Sequence, residues 1–136
     1  MRRILTFIVM LVMLSGCATM NGVRVGNREK LIKLSVGMTK QEVLNIMGTG
    51  KVTTYQFAGL FTPFTAEEIN NPYRSEILQG KNKTFEVLYY YTDVKKMDLA
   101  ITDDELTPLV FDDGKLIGWG WSFLQDNAQK YEIRIR

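Results

Sequence analysis

The chain has 136 residues, with 17 Lys and Arg against 15 Asp and Glu, no histidine and a single cysteine, Cys17. One thiol allows no internal disulfide, and without a second thiol or an imidazole, zinc sites built on Cys or His and Ser-His or Cys-His nucleophile pairs are excluded. The surplus of positive charge is Arg2 and Arg3; beyond residue 16 the chain carries 15 basic and 15 acidic groups, so charge gives no argument for nucleic acid or for an anionic surface.

The first segment reads as an export signal. Arg2 and Arg3 precede an apolar run from Ile4 to Leu14, interrupted only by Thr6, and small residues follow at Ser15 and Gly16. That order is the grammar of a secretory signal. The run has 11 residues. As a helix it would span about 16 Å, against a hydrocarbon core of about 30 Å, so it is too short for an ordinary transmembrane helix. Leu14-Ser15-Gly16-Cys17 resembles the bacterial lipobox. The resemblance implies cleavage between Gly16 and Cys17 and lipid attachment to the Cys17 sulfur, a palmitate-type anchor and no other cofactor. Ala18 in place of Asp implies, for a Gram-negative cell, an outer-membrane address with the domain facing the periplasm.

Residues 17–26, with two glycines and no periodicity, read as a lipidated flexible tether. The domain then runs over 27–136. A first helix is predicted over 27–36, with Asn27 as N-cap, an apolar stripe of Leu31, Ile32, Leu34 and Val36, and Gly37 as stop. A second is predicted over 39–47. Thr39 and Glu42 form a capping box, Met38 and Val43 have hydrophobic-staple spacing, and Gly48 ends the helix.

The remainder reads as β. Strands are predicted over 51–57, 84–92, 106–111 and 116–124. In the second of these, Phe85, Val87, Tyr89 and Tyr91 share one face. Asp113-Gly114 signals a tight hairpin between the last two. Ile117, Trp119, Trp121 and Phe123 are expected on one aromatic face. Residues 58–82 stand out as a long insertion, in which Thr65-Ala66-Glu67-Glu68 has the spacing to start a short helix. Residues 93–105 read as an acidic loop, and 125–136 as either a final strand or an extended arm. Asp103-Asp104-Glu105 and Asp112-Asp113 lack the spacing of a calcium loop, so no metal is expected. Arg74 and Glu76 read as solvated charges.

Gly37-Met38-Thr39-Lys40-Gln41-Glu42-Val43, with Leu44, Met47, Gly48 and Thr49 after it and Phe111-Asp112-Asp113-Gly114-Lys115-Leu116 later, resembles the SmpA/OmlA (BamE-like) family of small outer-membrane lipoproteins. The resemblance implies an α+β fold with two N-terminal helices packed on a small antiparallel sheet of three to four strands. It also implies a scaffold or assembly accessory that works by protein–protein binding, with an envelope protein such as the barrel-assembly machine as partner. No enzyme activity and no nucleic acid are expected. Within the insertion, the apolar stretch around Phe61 and Phe64, with Tyr73, is the candidate partner-binding surface. The alternative is a periplasmic ligand-binding or inhibitory module using the same 58–64 loop.

Overall fold

A computed structural model describes residues 20–56, 65–96 and 100–133. The predicted helix over 39–47 is present as described. Helix α2 spans Lys40–Met47; the Thr39 hydroxyl accepts from the Glu42 backbone N–H at 3.3 Å, and the Glu42 carboxylate accepts from the Thr39 N–H at 2.7 Å. Val43 and Met47 are fully buried. The cap meets two orphan donors of the first turn, and the buried face supplies the packing that so short a helix needs.

The first helix departs from expectation. Helix α1 spans Met20–Leu31, so residues 20–26 of the predicted tether are helical and the helix ends before 36. Gly22 and Gly26 lower the intrinsic propensity here, and tertiary contacts override it. Asn27 is not an N-cap. It lies inside the helix, 2% exposed, and its side-chain amide donates to Asn71 Oδ1 and to the Tyr91 carbonyl, both at 2.9 Å. Of the expected stripe, Leu34 is buried, while Ile32 and Val36 are 85% and 66% exposed.

Four strands form one antiparallel sheet in the order β3 (Arg74–Gln79), β4 (Thr84–Tyr91), β5 (Leu106–Asp112), β6 (Lys115–Trp119). Both faces are covered. One carries Phe85, Val87, Tyr89, Tyr91 and Val110 against Leu124 and Ala128 of helix α3 (Trp121–Lys130). The other carries Leu88, Tyr90, Leu109, Phe111 and Leu116 against Val43 and Met47 of α2. The near-continuous apolar run Val87-Leu88-Tyr89-Tyr90-Tyr91 is what a strand buried on both faces requires. Asp113 (φ 48°) and Gly114 (φ 72°) are both left-handed, the geometry that the Asp-Gly hairpin signal demands. The β6 edge is closed by the chain ahead of α2: Leu116 N–H donates to the Met38 carbonyl, and the Gly37 N–H to the Leu116 carbonyl, each at 2.8 Å.

The fold is therefore α+β, but its helices are not both N-terminal on one face. Three regions account for the correction. The predicted strand 116–124 stops at Trp119, because Gly120 (φ 93°) turns the chain into α3. A register shift of β6 against β5 between Val110 and Phe111 also breaks the period-2 pattern, so Ile117 joins the α3 side and Trp119 the α2 side. The tail is neither strand nor free arm as far as Ile133. It is helical to Lys130 and then folds back, with Ile133 buried. Finally, the 58–82 insertion contains strands, not a short helix. Strand β1 (Gly50–Gln56) pairs antiparallel with β2 (Thr65–Asn71) in a separate two-stranded sheet, and β3 follows. The Thr65-Ala66-Glu67-Glu68 capping pattern has no helical apolar stripe behind it, whereas Val52 opposite Ile69 gives the strand pairing an apolar contact.

The folded-back tail gives a direct prediction. A Cβ at Gly80 would stand 2.4 Å from the Tyr131 carbonyl oxygen and 2.7 Å from Ile133 Cγ1, and Lys81 N–H donates to that same carbonyl at 3.2 Å. Gly80→Ala is expected to cost about 2 kcal/mol, on the order of 8 °C in Tm, because backbone has to move. Gly26→Ala, inside α1 with nothing within 4 Å, is expected to raise stability by about 0.5–1 kcal/mol. Thermal melts of the two variants test the opposite signs.

Candidate functional site

Two features lie along α1, one at its start and one at its second half. The first is an apolar cavity of about 530 Å³, lined by Met20, Asn21 and Arg24 of α1, Tyr91 at the end of β4, and Val94, Lys96 and Ala100 in the segment after it. Its size and mostly apolar lining with a few polar groups match those of small-molecule sites. Tyr91 is buried, and desolvation pushes its phenol pKa up. Arg24 Nη2 donates to Asn21 Oδ1 at 2.6 Å, and Lys95 pairs with Asp93 at 2.6 Å, which holds the Asp93 carboxyl below its ordinary range.

The wall formed by residues 92–96 is built by Glu105, a charged side chain only 1% exposed. Its Oε1 accepts from the Lys95 and Lys96 N–H groups at 2.6 and 3.3 Å, and its Oε2 from the Thr102 N–H at 3.3 Å. Its backbone carbonyl accepts from Thr92 and Asp93 N–H at 3.1 and 3.0 Å. A buried carboxylate satisfied by backbone donors holds a loop as a strand pairing would. The stretch that reads as an acidic loop is thus tied back on itself, and Thr102-Asp103-Asp104-Glu105, with a short 3₁₀ turn at Asp103–Glu105, carries the S/T-x-x-E signal that marks it.

The second feature is the β1–β2 arm. Lys51, Thr53 and Tyr55 of β1 and Thr65 to Glu68 and Asn70 of β2 are exposed. The arm is held at its base. Asn71 donates to the Met47 carbonyl at 3.2 Å and accepts from Asn27, Lys30 Nζ reaches the same Met47 carbonyl at 2.9 Å, and the Tyr90 hydroxyl donates to the Gly48 carbonyl at 3.1 Å. This polar junction joins α1, the end of α2, β4 and the arm.

Of the residues singled out in the sequence, Gly16, Cys17, Phe61 and Phe64 lie outside the described residues. Tyr73 is half-buried against the α3-side core, with its N–H donating to the Tyr89 carbonyl at 2.8 Å, and takes no part in the cavity. Arg74 is not a freely solvated charge. Its guanidinium lies 4.1 Å from the Tyr89 ring centroid, pairs with Asp103 at 3.1 Å and contacts Glu76, whose other oxygen accepts from the Tyr89 hydroxyl at 3.1 Å. Burial pushes the Tyr89 phenol up, and neighbouring Glu76 adds to the shift. Among the described residues no helix is long and apolar enough to cross a membrane, and no group of three His, Cys, Asp or Glu side chains is placed to hold a metal ion.

Comparison with known proteins gives two matches. The model of a prokaryotic membrane lipoprotein lipid attachment site matches residues 1–18, and a family model described as "Protein of unknown function (DUF3192)" matches residues 18–126. No curated protein and no solved structure matches.

Proposed function

Since the chain belongs to the DUF3192 family and is a membrane-anchored envelope lipoprotein, we propose that it acts as a scaffold or assembly accessory through protein–protein binding, with no chemistry of its own. The outer membrane is the proposed address and an envelope protein, the barrel-assembly machine among them, the proposed partner. Cys17 carries the covalent lipid. The single observation behind this reading is the β1–β2 arm. A two-stranded hairpin with most side chains in water gains little from its own apolar burial. Yet the chain that joins its strands, Phe57-Ala58-Gly59-Leu60-Phe61-Thr62-Pro63-Phe64, is apolar. Aromatic side chains at such a position are the usual anchors of a protein interface.

The reading is tested by placing a photocrosslinking amino acid at Phe61 or Phe64 in the membrane-bound protein. Discrete protein adducts are expected at these positions and not at Ile77, which is exposed on the edge strand β3. Phe61→Ser with Phe64→Ser is expected to weaken partner capture by about 30-fold, the scale of one lost interface hot spot. Adducts with lipid alone, or undiminished capture by the double variant, would overturn it.

A further inference from the structure

We propose that the cavity at the start of α1 takes an acyl chain of the lipid carried by Cys17. The argument begins with reach. Cys17 lies three residues ahead of Met20, and Met20 lines the cavity. Three residues span at most about 11 Å even when fully extended. The lipid therefore leaves the chain within one short step of an apolar hollow in the same molecule.

The chemistry of the lining agrees. Met20, the Tyr91 ring, Val94 and Ala100 offer an apolar interior, while Arg24 and Lys96 supply positive charge. An acyl chain ending in a polar ester has the complementary pattern, an unbranched apolar body with acceptor oxygens at one end. Val94, 41% exposed, is an apolar side chain that such a chain would cover. The Met20 thioether is also suited to the irregular shape of a flexible tail.

The energetics permit this occupant. Each methylene hidden from water contributes alike in the bilayer and in an apolar cavity, so moving one chain of the anchor between them is close to balanced. The short tether keeps the anchor's own chain within reach of the cavity mouth at all times. The remaining chain or chains stay in the membrane. The result is a domain seated with the first turn of α1 at the bilayer surface.

The test uses the full lipidated protein in cells fed a photoreactive fatty acid, which enters both the Cys17 lipid and the phospholipids. After irradiation, digestion and mass spectrometry, intrachain adducts are expected on the α1 start, Tyr91 and Val94. Ala100→Trp and Val94→Trp, each filling the cavity and each checked by thermal melting, are expected to lower that adduct about tenfold, the loss that hiding two fewer methylenes implies. Val94 stands at an exposed position, so its variant keeps the test open if Ala100→Trp disturbs folding. The Cys17→Ala precursor has lipid only in the surrounding bilayer and is expected to lose the adduct. Adducts of equal yield in that precursor would assign the cavity to a bilayer lipid and overturn the proposal. So would their absence from the lipidated protein, or indifference to both Trp variants.

Discussion

Replacing Cys17 by alanine is expected to abolish palmitate labelling completely. The sulfur is the only atom in the chain able to accept the lipid as a thioether, since no second cysteine exists. With residues 1–16 also exchanged for an ordinary cleavable signal, the Cys17→Ala chain is expected to leave washed membranes for the soluble periplasmic fraction. One acyl chain gives a partition constant of roughly 10⁴ M⁻¹, and two or more make attachment effectively permanent, so the expected shift is from nearly all bound to nearly all free. Among the described residues no helix is long and apolar enough to cross a membrane, and the charges beyond residue 16 balance at 15 of each sign. Persistent labelling would remove the lipid from Cys17. Persistent retention after loss of labelling would instead move the membrane attachment to the domain, with the arm as the first place to look.

The parts of the fold legible in the sequence are those fixed by local chemistry. Thr39, Glu42 and Gly48 bound α2 because caps act within one turn, and Asp113-Gly114 fixes its hairpin because both positions need a left-handed backbone. Phe85, Val87, Tyr89 and Tyr91 were readable as one core face by period alone. What escaped depends on contacts distant in the chain. Asn27 looks like a cap in isolation, and only Asn71 and Tyr91, 44 and 64 residues away, make it a buried helix-interior residue. Gly120 and the register shift before it split an aromatic row that alternation places on one face. The covering of the sheet on its second face also escaped, because the helix that provides it, α3, begins with Trp121 and Phe123, residues that also suit a strand. The cavity was not legible at all, since its lining comes from two stretches far apart in the chain and its wall depends on Glu105.

Removal of the Asn27 side chain tests how the anchor and the arm are coupled. Asn27→Ala is expected to lower stability by about 3 kcal/mol, roughly 12 °C in Tm, because the Tyr91 carbonyl and Asn71 Oδ1 lose their donor in a buried setting. Asn27→Leu is expected to be no better, since filling the space leaves the same acceptors unpaired. Asn71→Ala removes the partner and one of the two donors to the Met47 carbonyl, while Lys30 still serves that carbonyl. The double variant is therefore expected to fall short of the sum of the singles by about 1–2 kcal/mol, the coupling of groups in one network. Denaturant unfolding of the four proteins measures the cycle. A loss below about 0.5 kcal/mol for Asn27→Ala, the size of an ordinary surface substitution, would remove the junction from the account of stability. The consequence reaches beyond stability. The chain leads from Cys17 through Met20 into α1, and α1 is bound through Asn27 to the last residue of β2. Those contacts set the direction of the arm relative to α1. Protease cleavage near the arm base is accordingly expected to accelerate in Asn27→Ala more than at the β5–β6 hairpin, because the hairpin shares none of these contacts.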